Sequence, residues 1–239
     1  MECPIDVSHN FWKYYLRTKK DPDSHDPILR RYHRLLWSKP LPNGKMLSLD
    51  EYLRHNSELG SFSFSSDSFM HTFSEWKRYQ HVIVQIPKSE TERFYSLAGT
   101  IGGITIFPSN KVEGKMTING AKGCDSKILD RIDLTMECIR RHYEGGKSPL
   151  SETLERYRSF FDLFTDFKGY AEFFMMQDMV AADQKIKFLC SFDGFRSSPL
   201  PDGVDEYIRY KDNSISFLER RNDRIKNWAE ENLHKRSWF

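Results

Sequence analysis

Apolar and polar residues alternate between Leu59 and Ser65, with Phe62 and Phe64 set off by Ser61, Ser63 and Ser65, and this period of two predicts a half-buried strand. Ser65 to Ser68 ends it, and Asp67 or Ser68 caps a helix through Phe69, Phe73 and Trp76. His81 to Pro87, HVIVQIP, predicts a second strand, with enough branched apolar residues to be central in a sheet. A third lies at Thr100 to Phe107, where Gly102 and Gly103 leave room for another backbone or a ligand and Pro108 stops the run. Lys88 to Leu97 reads as a helix between the second and third strands, which permits a parallel pair with a right-handed crossover or an antiparallel pair.

Helical spacing governs the remainder. Asp26 followed by Pro27 is a helix start, and Ile28, Tyr32, Leu35 and Leu36 give that helix an apolar face ending before Pro40. Ahead of it, Cys3 to Val7 reads as a short strand and Phe11 to Leu16 as an aromatic-rich helical turn or strand. Asp125 is the expected cap of a helix beginning near Ser126, with Ile128, Ile132, Met136 and Ile139 as its buried stripe. Leu150 to Phe164 and Gly169 to Val180 supply two more helices, and Lys185 to Cys190 a last short strand. From Val204 to Leu233, apolar residues at spacings of three, four or seven predict a long amphipathic helix, with a break possible near Asp212 and Asn213. Its outer surface is expected to be basic, through Arg209, Lys211, Arg220, Arg221, Arg224 and Lys226, with acidic residues between them. The expected architecture is α+β: a small central sheet built from the segments near Phe62, Val84 and Ile104, in a single domain whose sheet-containing half is 1–123 and whose mainly helical half is 124–239.

Composition narrows the function classes. With 18 Phe, 11 Tyr and 5 Trp in 239 residues the chain can bury a core, despite a mean hydropathy of −0.65. Lys and Arg number 36 against 34 Asp and Glu, so any basic surface for nucleic acid must be local. Four scattered cysteines form neither a C-x-x-C pair nor a zinc spacing, and reduced thiols are expected. The first residues lack the pattern of a secretory signal and no apolar run is long enough to span a bilayer, so a cytoplasmic protein with no membrane partner is expected.

Candidate chemistry gathers in three segments. Arg30, Arg31 and Lys39 surround His33, which reads as an acid or base acting on a phosphate held by those cations. Ser65, Ser66, Asp67 and His71 contain the residue types of a nucleophile and its base, although no G-x-S-x-G elbow is present and capping is the competing reading. Asn119 and Lys122 lie in a glycine- and lysine-rich loop leading to a helix start, a place suited to an anion, with Arg131 beyond; ordinary turns and solvated lysines are the alternative. Asp130, Asp133 and Glu137 at spacings of three and four have the geometry for a divalent cation but read more simply as a salt-bridged helix face, and no metal ligand is assigned.

The stretches DPDSHDPILRRYHRLLWSKPLPNGK, LGSFSFSSDSFMHTFSEW, TIGGITIFPSNK with TINGAKG and DRIDLTMECIRRHY, and FTDFKGYAEFF with RNDRIKNW resemble, in register from about Lys20 to Trp228, a bacterial family known only as a domain of unknown function. That resemblance implies a bacterial origin and one family-wide domain, and it carries over no activity, cofactor or site residue. From the three segments together, the functional expectation is a protein that binds or processes a phosphate-bearing ligand, a nucleotide or RNA, and family membership without a metabolic motif suggests a toxin or phage-defence setting. The alternative is a non-catalytic module that binds a protein partner or a second copy through its C-terminal helix.

Overall fold

The structure, a computed structural model, describes residues 3–233 apart from the side chains of Asp23 and Ser24. The expected contacts of Lys235, Arg236, Trp238 and Phe239 lie outside the described residues. In chain order come α1 (Phe11–Thr18), α2 (Pro22–His25), α3 (Pro27–Trp37), β1 (Arg54–Ser57), β2 (Gly60–Ser68), α4 (Gln80–Ile83), α5 (Lys88–Ala98) and β3 (Ile104–Pro108). Six helices follow: α6 (Ile118–Cys124), α7 (Ile132–Tyr143), α8 (Ser151–Arg156), α9 (Arg158–Phe161), α10 (Phe167–Phe173) and α11 (Gly203–Leu233). A small antiparallel sheet inside a mainly helical body makes this an α+β fold, as the residue patterns predict. No helix among the described residues is long and apolar enough to cross a membrane.

Strand order is β1-β2-β3. β1 pairs only with the first part of β2, from Arg54 opposite Ser63 to Ser57 opposite Gly60, whereas β3 pairs with the second part, from Phe64 opposite Pro108 to Ser68 opposite Ile104. The second half of β2 therefore has a strand on one side only. Ser63 bonds to Ser109 and Phe69 to Gly103, so the odd-numbered residues face β3 with their peptide groups and the Ser66 peptide points to the open side.

Several expected elements take another form. HVIVQIP is the helical turn α4 and its sequel: Val82, Ile83 and Ile86 are buried at helical spacing and Val84 is 74% exposed. A polar segment, Arg54–Ser57, fills the third place in the sheet, and the parallel crossover is absent. Phe69 to Trp76 is irregular chain, anchored by its aromatic rings, and no helix forms there. Cys3 to Val7 forms no strand, and Lys185 to Cys190 contributes only a bridge from Ile186 to Val180. The expected loop at 109–123 contains α6, capped by the Thr117 hydroxyl, and Asp125 ends that helix where it was expected to begin one.

Other expectations hold. Asp26 caps α3 through bonds from the Ile28 and Leu29 amides. Ile128, Ile132, Met136 and Ile139 are buried together, and Glu137 pairs with Arg141 as well as Arg140. The C-terminal segment is one unbroken helix of 31 residues, about 46 Å long at 1.5 Å per residue. Ile215, Leu218, Ile225 and Leu233 of its apolar stripe are buried, Val204 and Trp228 are half-buried and Ile208 is exposed, and two of its expected surface cations are buried as well. Lys211 pairs with Glu90 and Asp212, while Arg221 donates to the carbonyls of Ile101, Gly102, Ile104 and Phe174.

Candidate functional site

β2 organises the residues singled out in the sequence, because alternate side chains leave a strand on opposite faces. Ser66 and Ser68 turn toward α3 and α1, where His33 Nε2 is 2.7 Å from Ser66 Oγ and Trp12 Nε1 donates to Ser68 Oγ at 3.0 Å. Ser65 and Asp67 turn toward α6, where Asn119 Nδ2 is 3.4 Å from Ser65 Oγ and Lys122 Nζ is 3.1 Å from Asp67 Oδ2. Asn119 also donates to the Ser66 carbonyl at 3.2 Å, supplying from a side chain a bond that no neighbouring strand provides.

His33 is fully enclosed. Trp37 Nε1 donates to its Nδ1 at 3.0 Å, and indole nitrogen is only ever a donor, so Nε2 carries the ring proton and donates to Ser66. Burial, with the nearby Arg221 guanidinium adding to it, pushes its pKa down to about 3. The ring is a neutral strut between α3 and β2.

Lys122 is also enclosed, and the carboxylates of Asp67 and Asp130 hold it charged against the pull of burial. Asp130 does not lie on α7. It ends a turn in which Leu129 and Asp130 both have left-handed backbone, with φ of 46° and 58°, and its amide donates back to the Lys122 carbonyl. Gly123 permits this approach, because a Cβ there would lie 3.0 Å from Asp130 Oδ2. The expected carboxylate face is thus divided: Asp130 to Lys122, Asp133 to Arg131, Glu137 to Arg140 and Arg141. No metal-holding group of three is found among the described residues.

Beside this framework opens a cavity of about 520 Å³. Phe11, Trp12 and Tyr15 of α1, Trp76, and Tyr95 of α5 give it aromatic walls; Ser66, Ser68, His71 and Asp130 give it a polar end. Asp21 and Glu75 complete its charged residues, and no lysine or arginine lines it among the described residues. His71 stacks on Phe73 at 4.4 Å and meets Trp76 edge-on at 4.8 Å. Its Nδ1 accepts from the Phe73 amide, which places the proton of the neutral ring on Nε2. Burial, helped by Lys122 and opposed by Asp130, lowers its pKa.

Residues 5–225 match the model of a family of unknown function (DUF6994). The chain belongs to this family. Every described residue lining the cavity falls inside the matched span. No curated protein and no solved structure matches the chain.

Of the residues singled out in the sequence, Ser66 and His71 line the cavity, and His33, Ser65, Asp67, Asn119 and Lys122 form the framework behind it. Four lie elsewhere. Arg30 and Arg31 sit on α3 outside the lining, Lys39 donates to the Phe173 carbonyl beneath Trp37 and Trp228, and Arg131 is buried against Asp133 and the Pro199 carbonyl. Sequence reasoning passed over Trp12, Tyr15, Trp76 and Tyr95 as ligand contacts. The aromatic density of FWKYY was the available signal, but aromatic residues at helical spacing are ordinarily core.

Proposed function

We propose that this protein binds a small ring-bearing organic molecule in the cavity between α1, β2, α5 and Trp76, holding it as a receptor or acting on it there. The observation that carries this reading is the lining itself: aromatic walls meet a polar end in a space of about 520 Å³, the combination that ligand pockets present. A planar ring stacks on the indole and phenol faces, while its edge finds a donor in His71 Nε2 and acceptors in Asp130, Ser66 and Ser68. The base of a nucleotide or of an RNA end meets these requirements. Its phosphate belongs outside, since the charged residues lining the cavity are acidic.

The four unpaired cysteines support the reducing interior of a bacterial cell as the setting, in keeping with the expected origin. Partner binding through α11 has less support, because Ile208 is the one exposed residue of its apolar stripe and the others are buried or half-buried inside the chain.

Calorimetric titration with nucleosides and their monophosphates tests the reading, using the wild type and Trp76→Ala. Binding at micromolar to millimolar strength is expected for at least one nucleoside, no weaker than for its monophosphate, with a tenfold or greater loss in Trp76→Ala. Heats that are unchanged by the substitution place the ligand elsewhere and sink the proposal.

A further inference from the structure

Charge separates the classes of ring that fit such a cavity. Among the described residues, Asp21, Glu75 and Asp130 are its charged lining residues, and His71, whose pKa burial lowers against the pull of Asp130, adds no cation beside Glu75 and Asp130. Lys122 lies behind the lining with no exposed surface and is shared by Asp67 and Asp130, so one ammonium stands against two carboxylates. The walls add to this asymmetry, since the faces of Trp and Tyr rings carry the negative part of the aromatic quadrupole. Trp76 already meets a cation, the Arg78 guanidinium 4.3 Å from its centroid, so the ring faces left to favour positive charge are those of Trp12 and Tyr95.

We infer that the cavity selects an organic cation, a ring carrying a protonated amine, with the ring among Trp12, Tyr95 and Trp76 and the ammonium at Asp130. This assignment rests on the cavity being the ligand site and adds the charge class of its occupant. Asp130 is suited to the role because its turn and its bond to Lys122 fix the carboxylate, so little ordering is left to be done on binding. Glu75, exposed on the chain between β2 and α4, adds field at the edge of the lining without structural duty of its own in the observed bonds.

The test holds the ring constant and varies its charge. Tryptamine, indole-3-ethanol and indole-3-propionate present one indole as cation, neutral molecule and anion, and each is titrated calorimetrically into the full chain at pH 7 and low salt. Tryptamine is expected to bind at least tenfold more tightly than the alcohol, with the propionate weakest; Glu75→Gln lowers the preference severalfold, and Asp130→Asn removes most of it. Should Asp130→Asn fail to fold, the wild-type series and Glu75→Gln still decide. Equal affinities, or preference for the propionate, overturn the cation assignment while leaving the cavity as a ligand site. If no indole binds but a nucleoside does, the assignment again falls alone; if neither binds, both readings fall.

Discussion

Trp37 and Ser66 occupy both ring nitrogens of His33, and that fact changes what a histidine among arginines means. Its depressed pKa is a stability statement. An unfolded histidine titrates near 6.5, while the buried ring does so at about 3, so between those values only the unfolded chain takes up the proton. The contribution is fully present above about pH 6.5 and is lost as pH falls toward 3, by up to about 1.4 kcal/mol for each pH unit. His33→Gln keeps an acceptor for Trp37 and a donor for Ser66 but cannot be protonated there. Urea unfolding is expected to show it less stable than wild type at pH 7 and flatter between pH 6.5 and 4; parallel pH profiles would contradict the assignment. The Lys122 ammonium follows the opposite logic, since its two carboxylates keep it charged in an enclosed position where removing either sign strands the other.

Among the elements, β2 and the short α6 form the framework behind the cavity. α6 contains two glycines in seven residues, and helix propensity alone argues against it. Its Thr117 cap and the bonds from Asn119 and Lys122 to β2 supply what propensity lacks, so TINGAKG read as a loop from sequence. β1 was equally hidden: RHNS has no apolar alternation, and its two-residue turn, Glu58-Leu59, lacks the Asn-Gly signal of a hairpin. HVIVQIP misled for a general reason, as a short apolar run fits a buried helical turn as well as a strand. Where spacing was longer or alternation clean, in β2, α3, α7 and α11, the element was legible. The close approach expected at Gly102-Gly103 is present. A Cβ on Gly103 would lie 2.1 Å from the Ala98 carbonyl oxygen, and one on Gly102 would meet Asn222. Gly103→Ala is therefore expected to cost about 2 to 3 kcal/mol of unfolding free energy, measured by chemical denaturation, because backbone must move to admit the methyl; an unchanged midpoint would mean that β3 enters the sheet less tightly than described.

At the scale of the molecule, α11 ties the parts together from within. Arg221 bonds to carbonyls on the approach to β3 and at the end of α10, and its guanidinium lies 5.0 Å from the Phe69 ring centroid, so the entry to β3, the exit of β2 and the C-terminal helix are joined at one fully buried group. The cations that made a phosphate site plausible in the sequence are mostly spent on such internal ties. Left open beside the sheet is the aromatic cavity, assembled from α1, the end of β2, the segment reaching Trp76, and α5, which are up to 84 positions apart between Phe11 and Tyr95. No local pattern could have joined them. The most direct test is the indole N–H region of a proton–nitrogen correlation spectrum during titration with the tightest ligand found. The Trp12 and Trp76 signals are expected to move in step with occupancy, while that of Trp37, buried behind His33, stays in place. Shifts at Trp228 with none at Trp12 or Trp76 would contradict the account and move the site to the Lys39 side of α11.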